Sequence, residues 1–259
     1  MTKEQEIELI ISESKKIEDV INNELLPDFT SLHNINPKYN NFNAKQELVA
    51  ARGFFSGVKK KYALWIVNSE GISVEKFELK GLVVRRSDYP SITKERIMEI
   101  LDILVKQEKL KISAVRKIVC DTRIDILRII NEGGIEVGRP SSFTKPLNEY
   151  KVMPAHISGM LMWNDLEYKY FEPGTRGYSF RVKSIDRFKA PARILKKLEN
   201  YKIATSIVIP FEEEKIPDYY VLDVDYMIGF AWDDRVEELL KPIWSSISVT
   251  DMSHQLTTF

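Results

Sequence analysis

The chain has 259 residues, of which 44% are hydrophobic and 29% charged, with 38 cationic side chains balanced by 38 anionic ones. That composition excludes disorder throughout, and zero formal charge excludes a uniformly basic polyanion binder, so any nucleic-acid surface must come from local clustering. A single cysteine, Cys120, excludes an internal disulfide and a Cys-rich zinc site.

In chain order, residues 2–26 are predicted to be a helix. Thr2 and Gln5 have capping-box spacing, Ile7, Ile10, Ile11, Ile17, Val20 and Ile21 fall on one face, and Pro27 is expected to help end it. The Asn-rich stretch from Ser31 to Asn43 reads as loop. Tyr62–Val67 and Ile72–Phe77 have strand composition, and Asn68-Ser69-Glu70-Gly71 between them makes a hairpin turn. A third strand is expected from Leu79 to Val84.

After Pro90 the spacing of Ile97, Ile100, Leu101 and Leu104 is helical, as is that of Ile112, Val115, Val119, Leu127 and Ile130, with Gly133-Gly134 as a stop. A soft domain boundary is placed near residue 90. Within the second helix, Cys120 follows Ile118-Val119, where a small buried hydrophobe is expected. Tyr178–Val182 and Thr205–Ile209 are strand-like, and residues 189–200 and 233–244 suggest helices. The fold class is α+β, with a β-containing first part and a mostly helical second part carrying a small sheet. No window reaches the ~18 apolar residues of a membrane span, and the first residues lack an apolar signal region, so a cytoplasmic location without membrane contact is expected.

Two segments carry the chemistry. Lys59-Lys60-Lys61-Tyr62-Ala63-Leu64 runs three cations directly into an apolar strand, a fixed mount suited to phosphate contacts, with Tyr62 placed to stack or donate. A solvated charge run is the plain alternative. Further on, Lys80-Gly81 precedes Arg85-Arg86-Ser87-Asp88. Gly81 would let a backbone approach closely, the arginines offer planar donors for phosphate, and Asp88 could orient one of them. Surface arginines at a strand end are the alternative here.

Taken together, these two segments resemble the family B DNA polymerases. Ala44-Lys45-Gln46-Glu47-Leu48-Val49 and Phe54-Phe55-Ser56-Gly57-Val58 resemble the family's approach to the lysine motif. Phe143–Tyr150, Pro154-Ala155-His156-Ile157-Ser158-Gly159 with Trp163-Asn164, Asp218–Val221 and Leu239–Ile243 resemble successive thumb segments. The resemblance implies a partial palm (residues 1–90) and a thumb (residues 91–250). Lys59, Lys60, Lys61, Tyr62, Lys80, Gly81, Arg85, Arg86 and Asp88 would then hold the primer–template duplex. Residues 251–259 would be a tail in which Gln255, Leu256 and Phe259 form a candidate sliding-clamp peptide, with a frayed terminus as the alternative.

The family's metal-binding carboxylate motifs, its Lys-rich fingers helix and an exonuclease segment are absent from this sequence. The resemblance therefore implies one subunit of a split, viral polymerase, inactive alone. A partner chain would supply the exonuclease, fingers and catalytic palm, and Mg2+ would be held there rather than here. The other reading is a non-enzymatic duplex-binding accessory or remnant. No metal site is expected in this chain. Asp223 and Asp225 stand at i, i+2 as if on one strand face but read as solvated or paired carboxylates, and His156 reads as a structural hydrogen-bonding group.

Overall fold

The computed structural model describes residues 2–36, 38, 41–107, 109–166, 170–198 and 206–246. Thr2 caps helix α1 (Lys3–Val20) by a reciprocal pair of bonds: Gln5 N donates to Thr2 Oγ1 at 3.3 Å and Thr2 N donates to Gln5 Oε1 at 2.9 Å. The helix does not stop at Pro27. A π-helical turn, Ile21–Leu25, leads into α2 (Leu26–Leu32), and Pro27 sits in the first turn of that segment. The wider i→i+5 ring shifts the carbonyls that a proline ring would otherwise strike, and a first-turn position needs no N–H.

The apolar residues of α1 do not share one buried face. Ile7, Ile11 and Ile21 are half-buried, whereas Ile10, Ile17 and Val20 are exposed. The inward face is polar at its centre, where Ser14 Oγ donates to Gln46 Oε1 at 2.6 Å and Glu18 accepts from Gln46 N at 2.7 Å. Asn22 exchanges two bonds with the backbone of Ala44. These bonds bind residues 44–46 to the helix and lead the chain into its first strand.

That strand, β1 (Leu48–Phe55), pairs antiparallel with β2 (Tyr62–Ser69), which pairs antiparallel with β3 (Ile72–Lys80) in the order β1-β2-β3. The hairpin between β2 and β3 turns at Glu70 and Gly71, both with positive φ (51° and 89°), the combination of a two-residue primed turn. Asn68 closes it by accepting from Gly71 N at 3.1 Å. No strand runs from Leu79 to Val84. Leu79 and Lys80 end β3, Gly81 takes φ 66°, and Val83–Arg85 is a 3-10 turn. A left-handed residue cannot continue a pleated ladder. The sheet's third strand is instead β1, ahead of the lysines.

The chain divides into two compact units: Met1–Gly81 with Leu104–Glu108, and Leu82–Ile103 with Lys109–Phe259. The expected boundary near residue 90 falls inside the second. In the first unit the sheet buries Val49, Phe54, Ala63, Ile66 and Leu79, while Lys106 lies over the rings of Trp65 and Phe77 at 5.4 and 4.8 Å.

The second unit is built on α3 (Ser91–Lys106, through Ile103), α4 (Ile112–Asn131) and a small sheet. Val115, Val119, Thr122, Ile126 and Ile130 form the buried stripe of α4 at three- and four-residue spacing. Gly133, at φ 72°, ends that helix, and Gly134 N donates to Ile129 O at 2.9 Å in the manner of a Schellman stop. Cys120 is half-buried rather than fully buried, because it lies beside the Val119 stripe rather than on it; burial pushes its thiol up from the ordinary value.

Strands β4 (Arg139–Ser142), β5 (Arg176–Ile185) and β6 (Ser206–Pro210) pair antiparallel in that order, and β7 (Tyr220–Leu222) pairs with β5 further along. Helix α5 (Ala155–Leu166) packs on β6 so closely that a β-carbon on Gly159 would lie 2.8 Å from Ser206 O. Helices α6 (Ala192–Leu198), α7 (Val224–Ile228) and α8 (Asp234–Leu240) complete the described part. A π turn, Gly229–Asp233, joins the last two and buries Trp232, whose Nε1 donates to Val119 O at 3.0 Å. The architecture is α+β. No helix among the described residues is long and apolar enough to cross a membrane.

Candidate nucleic-acid interface

The first unit gathers the lysine segment at one corner of its sheet. The loop from Ser56 to Lys61 joins β1 to β2 at the end opposite the Glu70–Gly71 turn. It is pinned at its base, since Ser56 is buried and its N–H and hydroxyl both donate to Lys61 O, at 3.2 and 3.3 Å. Lys61 N in turn donates to Val58 O at 3.1 Å. Lys59 and Lys60 are exposed and Lys61 is half-buried. They stand in the loop, ahead of the strand, so strand alternation does not decide which way each one points.

Gly81 belongs to the same corner. A β-carbon there would meet Lys60 O at 2.4 Å and the Lys61 side chain at 3.1 Å, so the close backbone approach that glycine permits is to the lysine loop itself. Tyr62 pairs with Lys80 across β2 and β3 and with Phe55 across β1 and β2. Lys80 Nζ lies 5.9 Å from the Tyr62 ring, and the Phe55 ring lies 6.0 Å from it. Six of the sequence-predicted positions, Lys59, Lys60, Lys61, Tyr62, Lys80 and Gly81, thus share one small surface. Between residues 48 and 81 there are six cations and three carboxylates, a local excess in a chain of zero net charge.

Arg85, Arg86 and Asp88 lie in the second unit, where they form a separate group. Arg85 is exposed in the 3-10 turn. Arg86 is engaged: its Nε and Nη2 donate to the two oxygens of Asp88 at 2.9 and 2.8 Å. A residue without a sequence signal joins them, as Arg139 Nη2 donates to Asp88 Oδ2 at 2.9 Å. Burial pushes the Asp88 carboxyl up, but hydrogen bonds from Arg86 and Arg139 outweigh it and hold the group below its ordinary value.

Aromatic rings close this group. Arg86 lies 5.0 Å and Arg235 5.6 Å from the ring of Tyr89, Tyr89 stacks on Phe230 at 5.1 Å, and Arg139 lies 5.5 Å from Phe230. One carboxylate between two guanidiniums leaves a net positive surface. Arg139 and Phe230 escaped sequence reading because they lie 51 residues or more from Asp88, and a single Arg before Pro140 has no pattern of its own.

The remaining candidates lie away from the lysine corner or outside the described residues. Asp223 and Asp225 are not on a strand face: β7 ends at Leu222, Asp223 caps α7 by accepting from Tyr226 N at 3.2 Å, and Asp225 lies in the first helical turn. No group of metal-ligating side chains forms among the described residues. His156 stands in the first turn of α5, half-buried and hydrogen-bonded to the Ser142 backbone. Burial, with the positive charge of Arg139, lowers its pKa. Asn164 fastens the end of α5, accepting from Tyr170 N and Phe171 N at 2.9 and 2.7 Å and donating to Phe171 O at 2.7 Å. Gln255, Leu256 and Phe259 lie outside the described residues.

The chain is a mixed α+β protein with two groups of cations on its surface. Among solved structures it is similar to the family B DNA polymerase from the hyperthermophilic archaeon Pyrobaculum calidifontis, at 16% identity and a TM-score of 0.45 over 78% of this chain. It spans 23% of the length of that polymerase. At that level the likeness assigns neither family nor activity. No family model and no curated protein matches the sequence.

Proposed function

We propose that this chain is the palm-edge and thumb subunit of a split family B DNA polymerase, which grips the primer–template duplex while a partner chain performs the chemistry. The observation that carries the reading is the corner formed by Lys59, Lys60, Lys61, Tyr62 and Lys80, built on the contact between Gly81 and the Lys60 carbonyl. Ammonium groups mounted on a pinned loop bind phosphates without reading base sequence. In this reading residues 1–90 complete a palm, residues 91–250 form the thumb, and residues 251–259 reach a sliding clamp. Catalytic carboxylates and Mg2+ belong to the partner, a viral polypeptide carrying the exonuclease and fingers. The contribution of this chain is positional, holding the primer end in line and slowing dissociation.

Duplex binding measured against salt tests the grip. Replacing Lys59, Lys60 and Lys61 with alanine should weaken binding equally for unrelated sequences and lower the log-affinity salt slope by about 0.9 for each lost contact. Equal slopes for wild type and variant would remove the lysines from the interface. Copurification of a catalytic chain, followed by primer extension that needs both polypeptides, tests the split arrangement. Duplex binding without any such chain favours an accessory module.

A further inference from the structure

The second unit contains a cavity of about 350 Å3 on the open face of its small sheet, between the start of α5 and the α7 segment. The strands dictate what faces it. Arg139 on β4 is in register with Ser179 on β5, and Arg181, two residues further along β5, points to the same face and is in register with Ser206 on β6. Two guanidiniums and two hydroxyls therefore project from adjacent strands into one space. Ser179 Oγ and Ser206 Oγ lie 3.0 Å apart at its floor, and Ser206 is buried.

Helix α5 begins at the rim, where Ala155 and His156 line the cavity. The first bond of that turn runs from Ser158 N to Pro154 O, so the amides of Ala155, His156 and Ile157 precede it and carry the positive end of a 12-residue helix. Opposite, Tyr226 and Phe230 line the cavity, with Arg181 over the first ring at 5.3 Å and Arg139 over the second at 5.5 Å.

The ionisable side chains lining the cavity are Arg139, Arg181, Asp88 and His156. Asp88 is committed to Arg86 and Arg139, whereas Arg181 rests over the Tyr226 ring at 5.3 Å with no carboxylate partner among the described residues. A guanidinium without a carboxylate partner, a second one held by Asp88, the one proton that the Ser179–Ser206 pair leaves spare and a helix start line one cavity. That donor set exceeds what a carboxylate's two oxygens accept and suits the tetrahedral oxygens of a phosphate. The volume is far larger than a lone phosphate and falls within the ~300–1,000 Å3 usual for small-molecule sites. Tyr226 and Phe230 border the remaining space.

We propose that this cavity binds a small phosphomonoester carrying a planar ring, of the size of a nucleoside monophosphate, with Arg181 and Arg139 on the phosphate and Tyr226 and Phe230 against the ring. The site does not rest on the lysine corner that carries the duplex reading, because none of its donors belongs to that corner; it shares Arg139 with the Asp88 group, and Arg181 lies outside both.

Titration calorimetry of the full chain with adenosine 5′-monophosphate, inorganic phosphate and adenosine tests the assignment, with duplex binding measured in parallel. The monophosphate should bind at one site and more tightly than either part alone. Arg181→Ala should raise its dissociation constant by about tenfold or more, as expected when a hydrogen bond to a charged group is lost, with duplex affinity unchanged. Arg181→Lys, which keeps the charge and loses the fork, should fall between. Far-ultraviolet circular dichroism of both variants distinguishes lost binding from lost folding. Adenosine binding as tightly as the monophosphate, or a folded Arg181→Ala chain binding it unchanged, would overturn the proposal. Parallel weakening of monophosphate and duplex would assign the cavity to the DNA backbone instead, and would overturn it equally.

Discussion

Gly81 lies so close to Lys60 that a β-carbon on it would sit 2.4 Å from the Lys60 carbonyl oxygen. The end of β3 and the loop ahead of β2 are thereby held together by the absence of a side chain. Gly81→Ala should cost at least about 2 kcal/mol, combining a left-handed backbone at φ 66° with a clash against main chain that cannot rotate away. Urea denaturation measures the loss. If the lysine corner grips DNA, duplex affinity should fall further than the loss of folded protein explains, because Lys60 must move.

Lys80 and Tyr62 are partners across the strands, with the ammonium 5.9 Å from the ring centre. A double-mutant cycle with Lys80→Ala and Tyr62→Leu should give a coupling of about 0.5 kcal/mol in stability, the value for an exposed cation–π pair. Zero coupling would mean that the two side chains share a surface without sharing energy.

Asp88 restrains two arginines, so Asp88→Asn should release positive charge rather than simply weaken the fold. The arginines are about half exposed and Asp88 about a quarter exposed, so solvent screens the pairs and their loss should cost about 1 kcal/mol. Binding to a polyanion should become tighter, with a steeper salt dependence, measured by fluorescence anisotropy on a labelled duplex. The carboxyl is held below its ordinary value, so its contribution is present above the ordinary carboxylate range and is lost as pH falls through the lowered value. The wild type should therefore lose more stability than Asp88→Asn on acidification below about pH 4.

His156 has the same sign at a higher pH. Its imidazole is held below the ordinary histidine value by burial and by Arg139, so it stabilises the fold as the neutral form. That stability is present above about pH 6.5 and drains as pH falls through the lowered value. Thermal unfolding between pH 7.5 and pH 5 should show a decline in wild type that His156→Gln flattens.

Asn164 is a purely structural test. Its side chain holds three backbone groups of Tyr170 and Phe171. Asn164→Ala should destabilise by about 2–3 kcal/mol, with monophosphate and duplex affinities of the folded fraction unchanged.

Local chemistry was legible in the sequence where one segment fixes its own geometry. The Thr2–Gln5 cap, the Glu70–Gly71 hairpin and the glycine stop after α4 each depend on residues a few positions apart. Gly81 was legible as a point of close approach, although which backbone approached it was not. Strand β1 escaped because Arg52 and Gly53 break its pattern and a bulge between Val49 and Arg52 upsets its alternation. The end of α2 escaped because a π turn, which leaves no sequence mark, accommodates Pro27. Asp223 and Asp225 looked paired only while a strand was assumed. The group around Asp88 and the cavity beside it depend on Arg139, Arg181 and Phe230, brought together by tertiary folding alone.

Lys60 has a φ of 63°, a conformation in which a lysine is less comfortable than a glycine by about 1 kcal/mol. If the lysine corner binds nucleic acid, thermal robustness and that binding make opposite demands at this one position. A library selected only for heat resistance would then drift toward Lys60→Gly, rising in melting temperature while its affinity for nucleic acid declined. A lineage that keeps lysine there is retaining the ammonium group at the expense of a more relaxed loop.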